Sequence, residues 1–90
     1  MPPLSLSNRS RKSLDKLEPK QFKQVGNKIY SLEKNPRPQD SEIFHGRKDC
    51  WRVDQGEFRI VYEFTPALIL ILAIGPRNDD EIYRQVAGIP

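Results

Sequence analysis

Every position of Leu68-Ile69-Leu70-Ile71-Leu72-Ala73-Ile74-Gly75 is apolar or glycine, and a strand without alternation is normally covered on both faces. The run is far too short to span a bilayer, so it belongs inside a sheet that carries layers on both sides. The rest of the chain must supply those layers. Leu4 and Leu6 alternate with Ser5 and Ser7 as a short strand, and Ser7 or Asn8 can cap a helix from about Arg9 to Leu17. Leu14 and Leu17 would face inward, leaving Arg9, Arg11, Lys12 and Lys16 in solvent. Pro19 opens a second helix at the position prolines favour. Phe22, Val25, Ile29 and Leu32 recur at helical spacing until Asn35-Pro36-Arg37-Pro38 stops it. Near the other end, Asn78-Asp79-Asp80 provides the N-terminus of a short helix over Glu81 to Val86.

Between these helical segments lies Cys50 to Tyr62, which reads as a β-hairpin centred on Gln55-Gly56. With Asp54 facing Glu57, counting outward pairs Val53 with Phe58, Arg52 with Arg59, Trp51 with Ile60 and Cys50 with Val61. Like charges opposed across a ladder cost up to about 1 kcal/mol, so two facing guanidiniums suggest an anion held between them. Thr65-Pro66-Ala67 would then connect to the apolar strand, setting Arg59 opposite Ala73 and Glu57 opposite Gly75. Ser41 to His45 reads as a weak further strand. Trp51, Phe58, Ile60, Tyr62 and Phe64 read as core, and Cys50 as a small packing residue.

Ninety residues suffice for one domain over 1–90 with one core. Fifteen Lys and Arg against 12 Asp and Glu give a net charge of +3, which permits a nucleic-acid partner without demanding one. A single cysteine excludes an intramolecular disulfide, and with one histidine and no ligand spacing among the carboxylates neither a metal site nor another cofactor is expected. The start, Met1 to Leu6, lacks the basic residues and apolar run of a signal peptide. The expected location is the cytoplasm, with no membrane partner.

After the apolar strand come Gly75-Pro76-Arg77 and, on the last helix, Tyr83. Three arginines and a tyrosine suit RNA. Guanidinium forks bind phosphate bidentately and stabilise charge as it builds up on phosphorus, and an aromatic ring can stack a base. The competing reading makes Arg52 and Arg59 ordinary surface partners of Asp54, Glu57 or Glu63, each pair worth about 0 to 1 kcal/mol. His45, beside Gly46 at a turn, reads more simply as a surface residue, and the basic set on the first helix as a solvated face.

At this point the chain resembles the RelE/ParE superfamily of bacterial toxins, and within it the RelE-like mRNA interferases of type II toxin–antitoxin systems. The resemblance rests on the order of several short features over nearly the whole chain. These are a strand, a helical hairpin ending in Leu32 to Pro36, Gly46 before the sheet, Asp49 to Arg52, Gly56 to Tyr62, and Ile74-Gly75 with Arg77 and the later Tyr83. It implies a compact α+β fold, with an N-terminal helical hairpin packed on a central antiparallel β-sheet and a short C-terminal helix. It further implies metal-independent cleavage of mRNA in the ribosomal A site, through attack by the 2′-hydroxyl.

Carried over by position, Arg52, Arg59, Arg77 and Tyr83 are the implied catalytic residues. Asp54 stands where the pattern often has a lysine. The general base therefore falls to Asp54, His45, Tyr83 or a ribosomal group, since arginine with a pKa above roughly 12 is a poor base. Arg47 and Lys48, with Arg9, Arg11 and Lys12, are the expected RNA contacts. The implied partners are a cognate antitoxin, mRNA and the ribosome with its 16S rRNA, and operator DNA for the toxin–antitoxin complex. The same superfamily leaves two other readings open: a ParE-like inhibitor of DNA gyrase, and a non-catalytic antitoxin-binding module.

Overall fold

The computed structural model describes residues 2–78 and 80–89; Asp79, read above as part of a helix N-terminus, lies outside the described residues. Strands β1 (Leu4–Leu6), β2 (Glu42–Ile43), β3 (Cys50–Gln55), β4 (Phe58–Thr65) and β5 (Leu68–Pro76) form one sheet in the order β1-β5-β4-β3-β2. All neighbours are antiparallel except β1, which runs parallel to β5. Helices α1 (Asn8–Asp15) and α2 (Pro19–Lys34) form the expected hairpin, and α3 (Glu81–Ala87) the expected short last helix.

The two faces of the sheet carry separate cores. Val25, Ile29 and Leu32 of α2 pack with Val53, Ile60, Tyr62, Ile69, Ile71 and Ile74, and Leu14 and Leu17 border this cluster. On the opposite face Ile82 and Val86 of α3 pack with Phe44, Cys50, Val61, Leu72 and Ala73. Strand β5 thus contributes to both cores, which explains why its sequence shows no alternation. Phe22 departs from the expected inward stripe: it stays 44% exposed at the start of α2, and the buried stripe begins at Val25.

A β-bulge lies in β5. Val61 faces Ala73 while Tyr62 faces Ile71, so Leu72 is the extra residue. Ile69 and Ile71 point to the α1–α2 side, and after the bulge Ile74 does too. The bulge, together with a β4–β5 connection one residue shorter than expected, aligns Gly75 rather than Ala73 with Arg59. Two serines fasten it. The Ser7 N–H donates to the Ile71 carbonyl at 3.0 Å, and the Ser7 hydroxyl lies 3.1 Å from that of Leu72. Fully buried Ser10 lies 3.0 Å from the Ile71 carbonyl through its own hydroxyl. Ser7 is also the N-cap of α1, accepting from the Ser10 N–H at 3.1 Å. Ser7→Ala therefore loses a cap and a partner of the bulge together. It is expected to lower unfolding free energy by about 1–2 kcal/mol in chemical denaturation, whereas Ser5→Ala, at an exposed position of β1, should stay within about 0.5 kcal/mol.

The hairpin register corrects the sequence expectation by one residue. Gln55 pairs with Phe58, so the two-residue loop is Gly56-Glu57 rather than Gln55-Gly56. Gly56 has φ +60°, and Glu57 is not among the described residues with positive φ. Glycine at the first loop position is the type II′ arrangement, which suits the twist of a hairpin. Arg59 consequently faces Asp54, and Arg52 faces Val61. The expected collision of Arg52 with Arg59 does not occur. The connection to β5 is likewise one residue shorter than expected, because Thr65 itself pairs with Leu68.

Candidate active site

Arg59 lies on the face of β4 that α3 covers, next to the end of the sheet where β5 closes on Gly75. Gly75 itself is buried, and Ile82 of α3 packs over it, 3.6 Å from where a Cβ would stand. The guanidinium meets Asp54 along one edge, with Nε donating to Oδ1 at 2.8 Å and Nη2 to Oδ2 at 3.3 Å. From its other side Nη1 donates to the Tyr83 hydroxyl at 2.7 Å. These contacts, the bridge to Asp54 foremost, raise the guanidinium pKa still further, so Arg59 is a fixed cation and a hydrogen-bond donor.

Tyr83 comes to Arg59 from α3, whose inner positions Ile82 and Val86 are buried beneath it. Its ring stacks on Phe44 with centroids 5.3 Å apart and planes at 13°. Phe44 is buried and Tyr83 is 37% exposed, so one side of the tyrosine is backed by protein and its edge reaches solvent. Reading the sequence missed Phe44. Its only signal was its place in the weak Ser41–His45 strand, of which just Glu42–Ile43 pairs as β2.

Arg77 follows β5, and its N–H donates to the Glu57 carbonyl at 2.9 Å, continuing the ladder past Pro76. It occupies the next position beyond Gly75 on the face of Arg59. Its exposed side chain has no ion pair among the described residues.

The other candidates are placed differently. Arg52 is bridged to Glu42 of the neighbouring edge strand, a partner outside the Asp54, Glu57 and Glu63 weighed above, whereas the Arg59–Asp54 bridge is one of the pairs weighed there. Asp54 has both oxygens on Arg59. His45 and Lys48 are exposed on the 44–49 segment, where residues 43–51 line an open hollow of about 420 Å³ that does not include Arg59. Arg47 donates to the Ile89 carbonyl at 3.1 Å and lies 3.8 Å from Glu63, and Arg9 donates to the Gln85 carbonyl. Both arginines therefore meet carbonyls at the C-terminal end of α3, where cations are favoured. Arg11 and Lys12 are exposed on α1.

The described residues contain no group of His, Cys, Asp and Glu able to hold a metal ion, and no helix long and apolar enough to cross a membrane. Burial pushes the Cys50 thiol up to about 11 and the Tyr62 phenol up to about 12; the phenol donates to the Pro36 carbonyl at 2.6 Å. Both groups fold protonated, so their contribution is complete below the ordinary thiol and phenol values and disappears as pH climbs through the folded ones. Stability is expected to hold to about pH 9 and then fall between about 9 and 12, by on the order of 2–3 kcal/mol per group. Thermal melts across that range check this.

The chain matches the model of the ParE toxin of the type II toxin–antitoxin system parDE over residues 4–81. It belongs to the ParE toxin family. It is thus a toxin of a type II toxin–antitoxin system, within the RelE/ParE superfamily. No curated protein sequence matches it. Among solved structures, the isolated RelE toxin of E. coli matches with a TM-score of 0.74 at 20% identity, covering 96% of this chain and 95% of that one. The RelE–RelB complex of Pyrococcus horikoshii OT3 matches with a TM-score of 0.71 at 23% identity, covering 84% and 94%. The toxin–antitoxin complex RelBE2 of Mycobacterium tuberculosis matches with a TM-score of 0.71 at 19% identity, covering 86% and 100%. At these identities the likeness concerns the fold, and this ParE-family toxin has the RelE-like α+β architecture expected above.

Proposed function

We propose that this toxin is a ribosome-dependent endoribonuclease that cuts mRNA in the A site and is held inactive by a cognate antitoxin. The observation that carries the reading is the hydrogen bond from Arg59 to the half-exposed Tyr83 at the end of the sheet, with Arg77, which has no ion pair among the described residues, on the same face. In such a cleavage the 2′-hydroxyl gives its proton to a ribosomal group, its oxygen attacks the adjacent phosphorus, and the bond to the 5′-oxygen breaks. The 5′-hydroxyl leaves with a proton, and a 2′,3′-cyclic phosphate remains. Arg59 and Arg77 would neutralise the charge gathering on the non-bridging oxygens, a role that requires positioning more than basicity. Tyr83 accepts a hydrogen bond from Arg59, which leaves its own proton free to pass to the leaving oxygen. Its ring is also available to stack a base.

The antitoxin and ribosomal partners follow from this reading, as do operator DNA for the complex and a cytoplasmic site of action. Solved relatives include toxins complexed with antitoxins, and acidic antitoxin segments would suit this basic face. Arg52, Arg47, Lys48, Arg9, Arg11 and Lys12 are secondary candidates for RNA contact. A second reading, inhibition of DNA gyrase as in the ParE-like alternative above, is favoured by the match to the ParE toxin family. Primer extension on mRNA from cells expressing the toxin without antitoxin separates the two. Cuts within translated codons that vanish in an Arg77→Ala, Tyr83→Ala variant are expected; growth arrest with intact message and supercoiling defects would instead favour gyrase.

A further inference from the structure

We propose that Asp54 is a positioning residue for Arg59, clamping one edge of the guanidinium so that its remaining N–H groups are aimed at a phosphate of the RNA. The proposal rests on the ribonuclease reading above. Of the five N–H groups of an arginine, two go to Asp54 and one to Tyr83. Two remain. The edge Asp54 uses is the one formed by Nε and Nη2, so the guanidinium's outer end stays available to a second anion. Arg59 is 15% exposed in its side chain and Asp54 37%, so the carboxylate is the more solvated partner of the pair.

A flexible arginine without such a clamp would sample many rotamers and approach phosphate as a loose charge. Fixing it beforehand removes that ordering cost from the reaction. The clamp has an electrostatic consequence as well. Asp54 places a negative charge beside the phosphate seat, which weakens binding of RNA while improving alignment. The two effects oppose each other in the kinetics, and that opposition distinguishes positioning from mere support of the hairpin.

The test uses the full-length toxin with ribosomes programmed with a defined mRNA, comparing wild type, Asp54→Ala, Asp54→Asn, Arg59→Ala and Asp54→Ala/Arg59→Ala. Asp54→Ala should lower kcat by about 10–100-fold, the scale of a small misplacement. Its KM should fall by about threefold, because one repelling charge is gone. Asp54→Asn keeps an acceptor for Nε and should recover part of kcat while keeping the lower KM. The double variant should be no slower than Arg59→Ala, since a positioning residue has nothing to position once its arginine is absent.

Unchanged kcat in Asp54→Ala, a raised or unaltered KM, or losses that multiply in the double variant would each overturn the proposal. If circular dichroism finds Asp54→Ala unfolded, Asp54→Asn carries the test through the same lowered KM and partial loss of kcat. Absence of cleavage by wild type refutes the ribonuclease reading and this proposal with it. Normal wild-type cleavage with unaltered Asp54 variants refutes the proposal alone.

Discussion

Arg59→Ala is expected to reduce mRNA cleavage by about 10³-fold, at the upper end of the loss seen when a single transition-state donor is removed. Three changes coincide at this position. The fixed cation disappears, Tyr83 loses the donor to its hydroxyl, and Asp54 is left as an uncompensated negative charge where the phosphate would sit. With Arg77 counted, the site changes from a net positive charge to none. Folding should suffer little, because Asp54 is sufficiently exposed to be hydrated and such a pair contributes about 1 kcal/mol or less. Arg84→Ala serves as control: that side chain is 77% exposed and pairs within its own helix with Glu81. Single-turnover cleavage by programmed ribosomes should therefore drop for one arginine and not for the other, at equal melting temperatures within a few degrees.

Ile60→Ala should give the largest loss of stability. Ile60 is fully buried in β4, between Val53 and Ile74 of the adjoining strands, and belongs to the core shared with α2. Neighbours on two sides are held by ladder hydrogen bonds, so the space left cannot readily collapse. A loss of about 3–4 kcal/mol is expected, a large part of the roughly 5–15 kcal/mol that holds a domain together. At about 4–8 °C per kcal/mol for a domain of this size, the melting temperature should fall by roughly 12–32 °C. Ile43→Ala, at a position 52% exposed on the edge strand, should change it little.

The elements legible in the sequence were those with local causes. Pro19 fixed the start of α2, Asn35-Pro36 its end, and the fully apolar run from Leu68 announced a strand covered on both faces. The register of the hairpin was not legible to one residue. Gln55-Gly56 and Gly56-Glu57 both offer glycine to a two-residue loop, and they differ only in which loop position it takes. That difference exchanges Arg52 for Asp54 as the partner of Arg59, turning an expected repulsion into a bridge. The bulge at Leu72 was hidden for the same reason that β5 was conspicuous: without alternation, an extra residue leaves no mark in the pattern.

Placement of the site residues divides along similar lines. Arg59, Arg77 and Tyr83 were expected together and lie at one end of the sheet. Phe44 was missed, since a stacking contact across 39 positions of sequence has no local signature. Arg9 and Arg47 were read as RNA contacts, yet each donates to a carbonyl at the α3 end that only the tertiary fold brings near. Arg52 was counted with the site and is paired outward to Glu42.

The most direct measurement of the central claim is to incubate the purified toxin with ribosomes carrying a defined codon in the A site and to determine the chemistry of the RNA ends. The account predicts a single cut within that codon, with a 2′,3′-cyclic phosphate on one fragment and a 5′-hydroxyl on the other. Intact message in this assay, together with inhibition of gyrase by the same preparation, would contradict it.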